Sequence, residues 1–131
     1  MDSAFNILLA INNYSHDIAT AFLAVSGFML WVLSRHYPES DDKAIIFHFI
    51  TLYNSIKTIA KYSLIWILIA GVFRVTFYNQ FEWSDTAGDM QVVVIGIKHV
   101  VMFLIVGIGI THWLRLDKKV KILKIKIERY N

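Results

Sequence analysis

The chain has 131 residues, enough for one domain, and a net charge of +3. Hydrophobic residues make up 56% of it and charged residues 18%, against about 45–50% and about 25% in ordinary soluble domains. A soluble chain of this length has too little volume to bury so much apolar surface, so the composition excludes a typical soluble enzyme and favours a membrane protein. Because cysteine is absent, disulfides, thiolate metal sites and thiol nucleophiles are excluded as well.

The first apolar stretch runs from Ala4 to Leu33 and ends before Pro38, the one proline of the chain. We predict a helix over residues 4–35, since proline and the polar residues around it end a helix and begin a loop. No basic residue precedes this stretch and no small-residue cleavage site follows it, so we expect that it is not a cleaved signal peptide.

The second apolar stretch predicts a helix over residues 43–79, with Asp41 and Asp42 at its N-terminus, where negative charge is favourable. Such a helix would measure about 50 Å, which exceeds the hydrocarbon thickness of about 30 Å. One end must protrude from the bilayer or the helix must tilt. Either Lys57 and Lys61 mark the inner boundary and residues 43–56 project, or Lys43 marks it and the far end projects.

The third stretch predicts a helix over residues 90–129 whose last part, from Arg115 onward, is strongly basic. The preceding polar loop, residues 79–89, carries three acids and no base. Lys and Arg stay on the cytoplasmic side, so we expect the N-terminus outside and the C-terminal tail inside. The tail either contacts anionic lipid, rather than nucleic acid, or is a solvated anchor whose charge only sets the orientation. The predicted fold is all-α: residues 1–131 form a single integral membrane bundle of three long transmembrane helices, in the cell inner membrane.

Histidines lie on or beside all three predicted spans, and ionisable groups inside a membrane are expensive enough to suggest function. His16 lies 19 residues before Arg35, and His99 lies 16 residues before Arg115. Counted from these basic inner ends, the two histidines differ in height by about 4.5 Å. Two imidazoles at one depth on different helices suit the axial ligation of a haem iron, so His16 and His99 are the predicted haem b ligands. Hydrogen-bonded helix-packing residues are the alternative interpretation.

His48 and His112 can also share one height, near the inner face, and form a weaker candidate for a second haem or a metal site. Packing or interfacial roles compete with that interpretation. His36 is expected to close the inner end of the first helix or to lie at the headgroups. Arg74, near the outer end of the second helix, is the candidate contact for a haem propionate or a quinone carbonyl, or else reaches the headgroups.

Three segments follow a recurring pattern. The third span, residues 97–116, has one histidine near its start and a second near its basic end. The first span combines His16 with Ser26-Gly27 and with the pair Arg35-His36. In the second span, the segment from Leu68 to Gly71 ends in a glycine. This pattern resembles the HemJ-like and CopD-like membrane proteins. The resemblance implies haem b binding and, on the HemJ side, protoporphyrinogen oxidation dependent on a first-helix histidine, here His16. The family's lysine two positions after the third-helix histidine is Val101 in this chain, and Lys98 precedes the histidine instead.

The leading prediction is therefore a haem b membrane protein that transfers electrons between a partner protein and the quinone pool or across the bilayer. Three helices form a thin shell around a haem, so we expect a homo-oligomer or a subunit of a respiratory complex. The alternatives are a HemJ-like protoporphyrinogen oxidase, a copper-handling protein, and a non-catalytic structural subunit. Glycine-rich phosphate loops and the common hydrolase and metalloprotease motifs are absent from the sequence.

Overall fold

The computed structural model describes residues 3–39, 41–77 and 88–129. It contains three helices, α1 (Ser3–Arg35), α2 (Lys43–Thr76) and α3 (Gly88–Arg129), and no strand occurs within the described ranges. Each helix is long and apolar enough to cross a membrane. The predicted all-α fold with three candidate spans is thereby confirmed. Residues 78 and 79 of the predicted second helix, and the predicted loop up to residue 87, lie outside the described part of the chain.

The turn between α1 and α2 contains the expected helix signals. The side chain of Asp42 accepts a hydrogen bond of 2.8 Å from the backbone N–H of Ala44, which caps the first turn of α2. Asp41 instead forms an ion pair with Lys126 near the end of α3. The two acids that the sequence places at this helix start therefore have different roles, one local and one between helices.

Helices α1 and α2 form an antiparallel hairpin that is in contact at both ends. At one end the rings of Phe5 and Phe77 meet edge to face, with centroids 5.2 Å apart. At the other end Tyr37 meets Phe49 in the same manner at 5.8 Å. The hairpin is thus closed along its whole length by residues far apart in sequence.

The buried hydrophobic core lies at the end of the bundle where α1 finishes and α2 begins. All three helices contribute to it, and we call it the basal core: Leu30, Ile46, Phe49, Ile50, Tyr53, Ile56, Leu116, Val120 and Leu123. The most apolar 18-residue window of α3 lies elsewhere, and none of it is buried, against 17% of the corresponding windows in α1 and α2. Tight three-helix packing is therefore confined to the basal end.

Helix α3 nevertheless presents one continuous face to its neighbours. From Met102 onward, half-buried positions recur every three or four residues and lead directly into the buried positions of the basal core, and Ile95 lies on the same face two turns earlier. We call this line the α3 seam: Ile95, Met102, Val106, Gly109, Trp113, Leu116, Val120 and Leu123. Its outer half is less covered than its basal half, so α3 is less closely packed toward its N-terminal end.

Candidate functional site

His16 lies on the face of α1 that packs against α2. Its Nε2 atom is 3.9 Å from the position that a Cβ atom would occupy on Gly71, an ordinary van der Waals distance. Nearby, the side-chain amide of Asn12 donates a hydrogen bond of 3.1 Å to the carbonyl of Ala70. The small residues Ala70 and Gly71 thus let α2 approach the polar face of α1 closely, and the imidazole rests against the backbone of α2.

The Nδ1 atom of His16 is buried and has no hydrogen-bond partner among the described residues. The nearest carboxylate, Asp17, has its Oδ1 atom 3.5 Å away, and that contact becomes an ion pair only when the imidazole is protonated. Burying a polar atom without a hydrogen bond is unfavourable, and such atoms are rare in folded proteins. This nitrogen therefore distinguishes His16 from a histidine whose role is helix packing through hydrogen bonds.

Arg74 lies one turn beyond Gly71 and reaches across to α1. Its Nη1 atom is 3.2 Å from Oδ1 of Asp17, and a quarter of its side chain is exposed. The predicted propionate or quinone contact thus has an acidic partner already, on the residue next to His16. The pair brings a guanidinium, a carboxylate and an imidazole together between the middle of α1 and the C-terminal end of α2.

His99 is exposed, and by helical spacing it falls on the line of the α3 seam between the half-buried Ile95 and Met102. Its Nδ1 atom is 2.7 Å from the carbonyl oxygen of Ile95, one turn earlier, and in that contact Nδ1 is the donor. Nε2 is then left with its lone pair, which is the form of imidazole that binds a metal. None of the described contacts joins His99 with His16.

The other predicted histidines occupy separate places. His48 is exposed on α2, whereas His112 is half-buried and lines a pocket between α1 and α3. The described contacts do not bring these two together. His36 is exposed, and its ring hydrogen-bonds the carbonyl of Val32 at the end of α1, in accord with the expected helix-closing role. Within the described ranges no group of three or more histidine and carboxylate side chains is arranged to hold a metal ion.

A polar cluster beside the basal core was not anticipated from the sequence. Asp117 on α3 accepts hydrogen bonds from the Tyr53 hydroxyl at 2.6 Å and from Nζ of Lys57 at 2.9 Å. The Tyr53 oxygen in turn accepts a bond of 3.1 Å from the indole N–H of Trp113, and Lys121 is 3.0 Å from the second Asp117 oxygen. We call these five residues the Asp117 cluster.

Asp117 lies beyond the apolar part of α3, among basic residues. The hydrogen bonds from Tyr53, Lys57 and Lys121 hold the pKa of its carboxyl well below the usual range, because each donor stabilises the charged form. A sequence signal existed: Asp117 is the one acid between residues 115 and 127, and Tyr53 and Lys57 are one helical turn apart. What the sequence lacked was the register that brings α2 and α3 together at this height.

No protein-family model matches this chain, and no curated protein or solved structure matches it either. The resemblance to HemJ-like and CopD-like proteins therefore stays a prediction from the sequence.

Proposed function

We propose that the chain is a haem b-binding membrane protein that carries electrons between a partner and the quinone pool or across the bilayer. His16 and His99 are the proposed axial ligands. The observation that carries the proposal is the buried, unpartnered Nδ1 atom of His16, which makes this histidine unlike one used for packing. If the His16 ring rotated in its site and bound a haem iron, the imidazole would gain the bonding partner that it lacks here.

The second support is the chemistry of the surrounding residues. On α3, the hydrogen bond from Nδ1 to Ile95 orients His99 so that Nε2 is available as a ligand atom. On α2, the absence of a side chain at Gly71 lets the His16 ring lie close to the helix backbone. The guanidinium of Arg74, which pairs with Asp17, can also bind a haem propionate. The donor set therefore fits a haem, and its iron would supply a one-electron redox couple.

The third support is the loose packing along the outer part of α3. In water, such exposure of apolar residues would be unfavourable, whereas in a bilayer they can face lipid or a bound apolar group without penalty. A macrocycle held by His16 and His99 would lie between α1 and α3, where the apolar window of α3 is not buried. Further subunits or a second copy of the chain can pack on the same unburied face of α3. Three helices alone would cover a haem only thinly, so such packing is expected.

The membrane position that accompanies this proposal places the basal core in the cytoplasm. From Lys57 to Phe77, α2 rises about 30 Å, which equals the hydrocarbon thickness. Residues 43–56 then project into water, where apolar side chains must be buried by one another, and there the buried core is found. Of the two placements of α2, this one, with Lys57 at the inner boundary, accounts for the position of the core.

The test is an optical spectrum of the purified full-length chain, oxidised and then reduced with dithionite, together with a pyridine haemochrome assay. We expect a reduced b-type spectrum that is lost in His16→Ala and in His99→Ala. His48→Ala is the matched control, because that histidine is exposed on α2 and outside the proposed site. Haem binding that survives both ligand variants, or a colourless protein purified from membranes with sufficient haem, would refute the proposal.

A structural subunit is the second candidate, favoured by the unburied apolar window of α3. Such a subunit would contact neighbouring proteins through this face and carry no chromophore. Co-purification of a stoichiometric membrane partner with a colourless chain would select this candidate, whereas a b-type spectrum in the isolated chain would select the first.

A further inference from the structure

A second polar site lies between the basal ends of α1 and α3. It is a pocket of about 200 Å³ lined by Ser34, His112, Arg115, Leu116 and Lys119. Leu116 is buried and forms its floor, while Arg115 and Lys119 are exposed at its sides. Two cationic groups and an imidazole thus surround one concave space, and none of its lining residues is acidic.

The positive charge of this pocket is not neutralised by the described part of the chain. Neither Arg115 nor Lys119 forms an ion pair with a described carboxylate, and the acid between them in sequence, Asp117, is occupied by Tyr53, Lys57 and Lys121. The Asp117 cluster therefore takes the one nearby carboxylate to the opposite side of the helix. Unpaired cations around a concavity attract an anion.

Contacts of Lys119 and Ser34 define the lining of the pocket. The Tyr37 hydroxyl lies 3.4 Å from the carbonyl oxygen of Lys119, to which it donates, and the Lys119 ammonium lies 5.4 Å from the centre of the Tyr37 ring. Ser34 donates its hydroxyl to the carbonyl of Trp31 at 2.7 Å, so it contributes an oxygen to the wall rather than a free donor. The groups left for a ligand are those of Arg115, Lys119 and His112.

The charges also decide which kind of ligand His112 can serve. A metal cation beside His112 would be repelled by Arg115 and Lys119, whereas an anion would be attracted by both. Guanidinium and ammonium groups are the usual ligands of phosphate, and arginine binds it through two parallel hydrogen bonds. The pocket lies just past the apolar stretch of α3 that ends at Trp113, at the height where phospholipid phosphates lie if that stretch spans the bilayer.

We propose that the pocket formed by His112, Arg115 and Lys119 binds a phosphate group, either that of an anionic phospholipid in the inner leaflet or a free phosphate. The site is separate from His16 and His99 and does not depend on the haem proposal. It assigns to the start of the basic tail a specific site, beyond the general attraction of positive charge to anionic lipid.

The test compares two double variants that remove the same charge. The double variant Arg115→Gln/Lys119→Gln removes both cationic side chains that line the pocket. The control Lys118→Gln/Lys124→Gln removes two exposed lysines of the same helix that do not line the pocket. Binding of a short-chain phosphatidylglycerol to the full-length proteins in detergent is measured, with the matching phosphatidylcholine as the neutral control. Titration with inorganic phosphate in the same detergent follows. Size-exclusion profiles and helical circular dichroism establish that each variant is folded.

We expect the pocket variant to bind the phosphatidylglycerol about tenfold more weakly than the control variant, a difference that general surface charge does not produce. Equal losses in the two double variants would refute the pocket, because the tail would then act by charge alone. Lipid-specific binding with no response to inorganic phosphate identifies a phospholipid, and saturable phosphate binding that requires Arg115 and Lys119 identifies a free phosphate.

A conservative variant keeps the proposal testable if the double variant does not fold. Arg115→Lys preserves the charge but removes the two-point contact that a guanidinium makes with phosphate. An intermediate loss of binding supports a built phosphate site. Binding equal to wild type in Arg115→Lys, together with equal losses for single glutamine replacements at Arg115 and Lys118, refutes it.

Discussion

Removal of the Asp117 carboxylate tests whether the polar cluster holds α3 against α2. The Asp117 side chain is 20% exposed, and the Tyr53 side chain that donates to it is almost completely buried. Hydrogen bonds to a charged acceptor contribute about 1.5–3 kcal/mol each, and a buried hydroxyl left without its acceptor costs about 1–3 kcal/mol. The Lys57 ion pair counts for less because that side chain is 35% exposed, and the Lys121 pair, at 71% exposure, counts for little.

From these contacts we expect Asp117→Ala to lower the free energy of opening of the basal end by about 2–4 kcal/mol. Asp117→Asn should cost roughly half as much, because its amide oxygen still accepts from Tyr53 while the charge is lost. Asp41→Ala is the control, since it removes another ion pair between α3 and the start of α2 that is largely exposed, worth about 0–1 kcal/mol.

The assay is amide hydrogen exchange of residues 116–127 in detergent or nanodiscs, which reports local opening free energies. A value for Asp117→Ala within about 0.5 kcal/mol of the Asp41→Ala control would refute this account. The pH dependence provides a second check. Because the folded pKa of Asp117 lies below the ordinary value of 3.8, its contribution is present at about pH 5 and above, and is lost progressively as the pH falls from there toward the lower folded value. Exchange protection should therefore be the same at pH 5 as at pH 7.

Two further predictions concern the basal core and its position. Ile46→Ala should destabilise the basal end by about 2–4 kcal/mol, because Ile46 is 1% exposed. Ile45→Ala, at a 48% exposed position, should cost less than about 1 kcal/mol. Chemical denaturation followed by circular dichroism compares the two variants, and equal losses of stability would contradict the core assignment. Since the chain has no native cysteine, single cysteines can map its depth. A cysteine at His48 should react with a water-soluble maleimide added to inside-out vesicles, and one at the exposed Ile69 should not; the reverse pattern would overturn the placement of α2.

The fold class could be predicted closely because it depends on local properties of the sequence. Apolar stretches of sufficient length, the proline after α1 and the acid at the start of α2 are each readable without knowledge of neighbours. The predicted bounds at residues 35, 43 and 129 are those observed, and the starts of α1 and α3 differ from the predicted ones by one and two residues. In a bilayer, backbone hydrogen bonds must be satisfied within each segment, so hydropathy alone is sufficient to indicate helices.

The site was only partly predictable because it depends on how the helices pair. Heights counted from basic residues indicated that His16 and His99 share a depth, but the sequence did not reveal that His16 rests against Gly71 of α2. Lipid-facing and protein-facing residues are similarly apolar within a membrane, so the sequence pattern gives little information on which faces meet. The expected pairing of His48 with His112 was based only on their similar predicted depth in the membrane. In the structure, His112 lines a pocket together with Arg115 and Lys119.

By itself, then, the sequence determined that the protein is helical, that it has three segments able to cross a membrane, and that its histidines lie on those segments. The tertiary structure alone decided that α2 and α3 meet through Tyr53, Lys57 and Asp117, and that the buried core lies at the basal end. The reason is physical: helix formation is set by interactions within a few residues, whereas the meeting of side chains sixty positions apart depends on the register between whole helices.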